Sequence, residues 1–248
     1  ADFGQPVIRR HVANLPISRS FGDPNDPEDN IHKTQVGSDF SHQFNKNWTF
    51  HNRFLASFIS TEDDFINPTP AFGNALGADG RTLSRNIFAQ ISDTWSYATN
   101  VELLGDFNVG FSQHQTLIGF DYLHNDIEYS TFGNFNTPNP DLAIDIFNPG
   151  PSYGIDPDLF RQARKVPTSA LNHSVFKDEN YGVYFQDHIT LWNKLHILGG
   201  GRYDWAETGR GRGASFSAAE DALPGVLRHD EEFSPRVGIV YQPWHWLA

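Results

Sequence analysis

Residues Arg85 to Phe111, RNIFAQISDTWSYATNVELLGDFNVGF, change polarity at every second position. From Ile87 one parity reads Ile, Ala, Ile, Asp, Trp, Tyr, Thr, Val, Leu, Gly, Phe, Val, Phe. The other reads Phe, Gln, Ser, Thr, Ser, Ala, Asn, Glu, Leu, Asp, Asn, Gly. A period of two marks an extended strand with one apolar and one polar face. The stretch runs for about 27 residues without a proline, whereas soluble strands are usually about 3–10 residues long. At about 3.3 Å per residue it reaches on the order of 90 Å. Few soluble folds need such a strand; a membrane barrel whose wall projects beyond the bilayer does.

The same pattern predicts six further strands, over 31–44, 48–60, 115–130, 179–192, 195–207 and 231–242. Val36, Phe40 and Phe44 share a face, as do Trp48, Phe50, Phe54 and Phe58, then Ile118, Phe120 and Tyr122. Tyr181, Val183, Phe185, Ile189 and Leu191 follow in phase, as do Tyr203 with Trp205 and Val237 with Ile239. Short turns are expected at 45–47, 112–114, 193–194 and 243–245, and long irregular loops at 61–84, 131–178 and 208–230. The two kinds of connection alternate strictly, so all short turns fall at one end of the sheet. Transmembrane β-barrels have this asymmetry. Phe44, Trp48, Phe111, Trp192, Trp244 and Trp246 gather beside the short turns, where an interfacial girdle belongs. The expected fold is all-β: about seven long meandering antiparallel strands of a transmembrane β-barrel. Asp93 breaks the apolar parity toward the loop end, above the membrane, and Asp187 breaks it with no account from the sequence.

Composition agrees. Aromatics are 14% with 21 Phe, yet the mean hydropathy is −0.48, as expected when apolar surface is confined to alternate positions. No run of about 18 apolar residues is present, so no transmembrane helix is expected. A net charge of −12 argues against binding nucleic-acid phosphates. Cysteine is absent, which removes disulfides, zinc thiolates and thiol catalysis. Asp23, Asp26, Glu28 and Asp29 lie in a proline-interrupted stretch without the EF-hand glycine and read as a solvated acidic loop. The 11 histidines show no tight metal spacing. GGGR at 199–202 is not followed by Lys-Ser/Thr, so it is not a phosphate loop. GRGRG at 209–213 falls in an expected loop of an acidic chain, and no nucleophile elbow appears. The chain begins without Met at ADFGQPVIRR, ends at YQPWHWLA, and reads as a section of a longer protein.

Several of these pieces are familiar together. LIGFDYLHNDIEYS, IDIFNPGPSYG, YGVYFQDHITLWNKLHILGGGRYDWAET and FSPRVGIVYQPW resemble consecutive parts of TonB-dependent siderophore receptors, the ferrichrome-receptor type in particular. ADFGQPV and LPISRSFGDPND extend the resemblance over nearly the whole of 1–248. The resemblance implies a 22-strand barrel in the bacterial outer membrane, closed by a plug domain, that imports ferric siderophores of hydroxamate type with energy from TonB. Residues 1–248 would be a middle section of that barrel, incomplete at both ends and without the plug through which TonB acts. The expected partners are a ferric siderophore, outer-membrane lipid and, through the missing plug, the TonB complex. A passive porin or structural barrel is the alternative. No enzyme activity and no resident cofactor are expected, since the siderophore itself chelates the iron.

A bulky ferric chelate requires an aromatic and polar vestibule at the loop end of the lumen. Candidate residues are Phe88 and Gln90 on the polar parity of the longest strand, Tyr129 on the same face, and Arg202 and Asp204 on the polar face of 195–207. Phe132, Phe135, Phe147 and Tyr153 are candidates in the longest loop. The competing reading is that these aromatics pack the loop, and that Arg202 and Asp204 belong to a lumenal charge ladder.

Overall fold

A computed structural model describes residues 7–8, 11–12, 14–16, 18–19, 21–23, 25, 28–68, 76–133, 139–149 and 156–244. A short ladder pairs β1 (Val7–Ile8) with β2 (His11–Val12). The wall is built from β3 (Asn30–Asn45), β4 (Trp48–Pro68), β5 (Thr82–Val109), β6 (Ser112–Gly133), β8 (His173–Leu191), β9 (Leu195–Gly213) and β10 (Arg228–Tyr241). They run antiparallel in the order β10-β9-β8-β6-β5-β4-β3, and β7 (Asn139–Asp145) adds beside β5. Two helices, α1 (Pro157–Ala163) and α2 (Phe216–Ala222), lie between wall strands. The all-β antiparallel expectation therefore holds, with β5 at 28 residues the longest strand.

Residues paired across a ladder share a face, so the parity of β5 extends over the whole wall. Leu103 pairs with Phe50 and Ile118, Ile118 with Phe185, and Phe185 with Gly201. On this face Phe40, Phe120, Val183, Phe185, Val237 and Ile239 are exposed, with no protein cover. Aromatic contacts bound the band. At the turn end Trp48 stacks on Phe107 at 5.6 Å and Phe111 on Trp192 at 5.4 Å. At the loop end Phe58 meets Trp95 at 5.3 Å and Tyr181 meets Trp205 at 5.4 Å. The twelve positions from Trp95 to Phe107 span about 40 Å along the strand, or about 30 Å once tilted by ~40°, which fits an apolar band ~25 Å tall with a girdle at each edge. Along β5 the segment from Trp95 to Phe107 is thus the membrane-spanning part; on β8 and β9 the apolar outer face ends at Tyr181 and Trp205, and beyond it Lys177 pairs with Glu179 and Glu207 on the same parity.

The turn end is tight. Asn45 Oδ1 accepts from the amides of Asn47 and Trp48 at 2.8 and 3.1 Å. Trp192 and Asn193 both adopt left-handed φ, 53° and 54°, as the central residues of a type I′ turn do, and the Lys194 amide donates to the Leu191 carbonyl at 3.0 Å. The turn expected at 112–114 lies instead at Gly110 and Phe111, with Gly110 at φ 59°.

The loop end departs further from expectation. The wall continues through 61–68, 82–84, 131–133, 173–178, 208–213 and 228–230, all read as loop. Above the membrane both faces of a strand can be polar, so HSVFKDE and GRGRG lose the apolar alternation that reveals a strand. The longest loop also contains β7 and α1. The buried core sits at this end. Ile66, Ile87, Leu142 and Phe160 form one cluster, and Leu76, Leu83, Ile144 and Ile146 another, with Leu15 and Phe21 packed on the second. Asp23, read as a solvated loop acid, is buried against Arg85: the guanidinium NH2 reaches Asp23 Oδ2 at 3.4 Å, and Nε donates to Leu142 O at 2.7 Å.

Candidate functional site

The polar parity of the wall faces away from lipid and divides into three levels. Nearest the short turns, Leu104, Leu117, Leu198 and Val240 line an open cavity of about 730 Å³ together with Gln115, Gln186 and His188. His188 stacks on His196 at 5.5 Å.

At mid-height lies a charge ladder. Arg53 pairs with Glu102 at 3.1 Å, and the Tyr184 hydroxyl donates to the other Glu102 oxygen at 2.9 Å. Asn100 Nδ2 donates to Asp121 at 2.6 Å and to the Tyr184 hydroxyl at 2.9 Å. Arg202 bonds both Asp121 and Asp204, the latter at 2.6 Å, and lies 5.3 Å from the Tyr184 ring centroid. Gly119 leaves the space that the Tyr184 ring fills, since a Cβ there would overlap the ring. Every charge in the ladder has an opposite charge beside it, which is the arrangement that keeps part-buried ions at low cost.

Above the upper aromatic girdle the lumenal face changes character. Tyr129 pairs with Ser174, and Ser174 with Arg212. One rung lower, Ile127 pairs with Phe176, and Phe176 with Arg210. Tyr129 donates to Gln90 Oε1 at 3.1 Å. Arg210 lies 4.7 Å from the Phe176 ring centroid and donates to Ser174 Oγ at 3.1 Å. Burial raises the Tyr129 hydroxyl pKa, with the Arg210 charge pulling it the other way and Asp63 adding to the rise. Burial, with the charges of Asp29 and Asp64, also raises the carboxyl of Asp63.

The arginines reach this face through the alternation of GRGRG. Gly209, Gly211 and Gly213 occupy the outer parity; Gly211 and Gly213 seat α2, and Gly209 faces Leu223 and Leu227 just beyond it. A Cβ on Gly211 would overlap the Ala219 carbonyl, and one on Gly213 would lie 2.6 Å from the Ala219 nitrogen. Arg210 and Arg212 take the opposite parity by necessity. The motif is therefore the end of β9, not a loop.

The described sequence-predicted candidates fall in five places. Gln90 and Tyr129 meet in the upper zone. Arg202 and Asp204 belong to the mid-height ladder; Gln90 and the ladder residue Glu102, twelve positions apart on β5, are separated by about 40 Å along the strand. Phe88 is buried, 5% exposed, with its ring 4.9 Å from Phe65. Phe132 pairs with Ala89 on the outer parity and contacts His173, so it does not face the lumen. Phe147 is half-exposed under the Arg81 guanidinium at 5.2 Å. Phe135, Tyr153 and Trp246 lie outside the described residues. Sequence reasoning missed Phe176, Arg210 and Arg212 as site residues, and Asn100, Glu102 and Tyr184 as ladder members. Their shared signal is polar or aromatic character on the lumenal parity at matching heights, legible only once the register is known.

Asp187 now has an account. It sits on the lipid parity close to the lower girdle, where His114 Nδ1 lies 2.7 Å from Oδ2 and the Thr116 hydroxyl donates to Oδ1 at 3.0 Å. Among the described residues no group of three or more His, Asp and Glu is arranged to hold a metal.

Comparison with known proteins supplies the family. Among curated proteins, the metal-pseudopaline receptor CntO of Pseudomonas aeruginosa is 28% identical over 97% of this chain and 32% of its own length. The ferrichrome outer membrane transporter/phage receptor of Escherichia coli K12 is 23% identical over 83% of this chain and 27% of its own length. The chain thus spans about a third of the length of the curated relatives it matches. Among solved structures, the siderophore receptor PiuA of Acinetobacter baumannii superposes with a TM-score of 0.62 at 18% identity, over 94% of this chain and 33% of that one. The closed form of the ferric-catecholate import receptor Fiu of E. coli K12 gives a TM-score of 0.64 at 16% identity, over 90% and 32%. These two show the fold. Residues 2–248 match the model of the TonB dependent receptor-like β-barrel, and the chain belongs to that outer-membrane family.

Proposed function

We propose that this chain is the lumen-forming wall of a TonB-dependent receptor that takes up metal chelates of siderophore type. The observation that carries the reading is the match of residues 2–248 to the receptor barrel. The fold supports it: a wall with an apolar outer band edged by aromatics, a paired charge ladder at mid-height, and a taller aromatic and cationic zone above the membrane. On this reading the ladder faces a plug supplied by another part of the receptor, and the upper zone with Gln90 and Tyr129 faces the incoming chelate. TonB would act through that plug. The protein is a transporter and not an enzyme. The related proteins differ in cargo: one is a metal-pseudopaline receptor and another a ferrichrome transporter. A ferrichrome-like hydroxamate rests on the second of these similarities alone.

The test is energised uptake. The full-length receptor containing this chain is expressed in cells lacking their own siderophore receptors, and accumulation of radiolabelled metal chelates is followed with and without functional TonB. Saturable, TonB-dependent accumulation is expected. Uptake that is linear in concentration and indifferent to TonB would sink the proposal in favour of a passive porin.

A further inference from the structure

We infer that Arg210 and Arg212 form an anion-recognition site in the upper lumenal wall, and that the chelate it accepts is negatively charged and carries carboxylate or catecholate oxygens. This deepens the proposed function and rests on it. Arg53 and Arg202, lower in the same face, are each paired with a carboxylate. Among the described residues no carboxylate lies within ion-pair distance of Arg210 or Arg212, in a chain of net charge −12. The nearby lumenal acid Asp178 accepts from the Thr208 hydroxyl. The two cations are set in place by the outer face: with Gly209, Gly211 and Gly213 pressed against α2 and its flank, the residues between them face the lumen whatever their identity.

The surroundings suit a ligand better than a salt bridge. Arg210 lies over the Phe176 ring and its Ser174 contact uses Nε and Nη2, so the guanidinium is oriented while both arginines stay exposed. Tyr129, one strand from Ser174, adds an aromatic hydroxyl at the same height. A guanidinium presents paired N–H donors that match carboxylate or paired phenolate oxygens, and such charge-assisted bonds are about twice as strong as neutral ones. A neutral hydroxamate chelate gains little from two cations and must still desolvate them. The site therefore discriminates by charge.

The experiment compares three probes in TonB-dependent uptake by the full-length receptor: neutral ferrichrome, a ferric tricatecholate and an anionic ferric polycarboxylate. Each is measured with the parent, the double substitution Arg210→Gln/Arg212→Gln, and Arg210→Lys/Arg212→Lys. Outer-membrane receptor levels are followed by the heat-modifiable mobility of the folded barrel. Uptake of at least one anionic probe in preference to ferrichrome is expected. Its apparent affinity should fall roughly tenfold or more in the Gln pair, return in part in the Lys pair, and weaken with added salt. Preference for ferrichrome, or anionic uptake unchanged by the Gln pair at equal receptor level, overturns the charge-selecting site and leaves the receptor reading standing. Absence of TonB-dependent uptake for all three probes overturns both.

Discussion

The seating of α2 on β9 makes a graded prediction. On Gly211 a methyl group would overlap backbone: the Ala219 carbonyl and, at 3.1 Å, the Leu223 nitrogen. Neither can swing aside as a side chain could, so α2 must lift as a body. On Gly213 the nearest atoms are the Ala219 nitrogen at 2.6 Å and Ala218 carbon and Cβ at 2.7 Å. On Gly209 the nearest atom is the end of a side chain, Leu227 Cδ2 at 2.9 Å, which can turn away. On Gly225 nothing lies within 4 Å. Forcing an extra methyl into a packed contact costs about 1–3 kcal/mol, which is about a 5- to 150-fold loss of protection against local opening. Hydrogen–deuterium exchange over residues 214–227 of the full-length receptor in detergent measures it. The expected order of lost protection is Gly211→Ala, then Gly213→Ala, then Gly209→Ala, with Gly225→Ala unchanged. If Gly211→Ala protects these residues as well as the parent does, the helix is not seated on glycine and the account of GRGRG fails.

Three further outcomes follow from named contacts. Arg85→Ala removes the ion pair to Asp23 and the donors to the Leu142, Phe21 and Gly22 carbonyls; loss of one member of a buried pair costs about 3–5 kcal/mol, so residues 14–23 should become protease-sensitive while the spanning strands do not, and retained resistance would refute the tie. His114→Ala should destabilise refolding into lipid vesicles by about 1 kcal/mol, because Asp187 loses one of its two partners near the interface and keeps only Thr116, whereas His114→Leu with Asp187→Leu should recover it; strictly additive single effects in urea titrations would show that the pair is not coupled. Burial, with the charges of Glu220, Asp93 and Asp126, raises the carboxyl of Glu128. An acid whose folded pKa is raised penalises the fold above that pKa and ceases to do so below its unfolded value, so protection of α2 should increase as pH falls from 7 through the raised pKa, and Glu128→Gln should flatten that dependence; an unchanged slope would remove Glu220 on α2 as a neighbour of Glu128.

The sequence showed the membrane-spanning half of the wall because lipid enforces a rule. Between Trp95 and Phe107 one parity of β5 is mostly apolar, and so are its register partners Phe50, Ile118, Phe185 and Val237, whereas at the Trp95 and Tyr97 rungs β8 already carries the charged Lys177 and Glu179. Above Trp95 the constraint lapses, and the strand ends at 61–68, 173–178 and 208–213 look like loop. Phe88 falls on the polar parity of β5, but its burial against Phe65 depends on pairing that no local pattern encodes. Phe132 was assigned from its place in a loop, and its outer-face position follows from the extension of β6 by three residues. Asp187 needed His114 from another strand.

The rule that lapses above the membrane is replaced by another of the same period. Where lipid ends, the outer face of β8 and β9 meets α2, and the outer face of β4 and β5 meets α1 through Ile66, Ile87 and Phe160. Arg164 at the end of α1 clamps Asp64 at 2.9 Å and Glu62 at 3.0 Å on that same outer parity of β4. Apolar residues on the lipid parity thus give way to glycine under one helix and to isoleucine and paired acids under the other, while the lumenal parity runs on uninterrupted. A long strand is what this requires, because a single continuous β5 holds the spanning girdle, the charge ladder and the upper zone in one register. The height at which α2 takes over from lipid is also the height at which Arg210 and Arg212, without an ion pair among the described residues, replace the paired charges of the ladder. A guanidinium with no acid beside it among the described residues is tolerable there because it is exposed to water. The height of the wall thus separates a level where charges must cancel from one where they remain available.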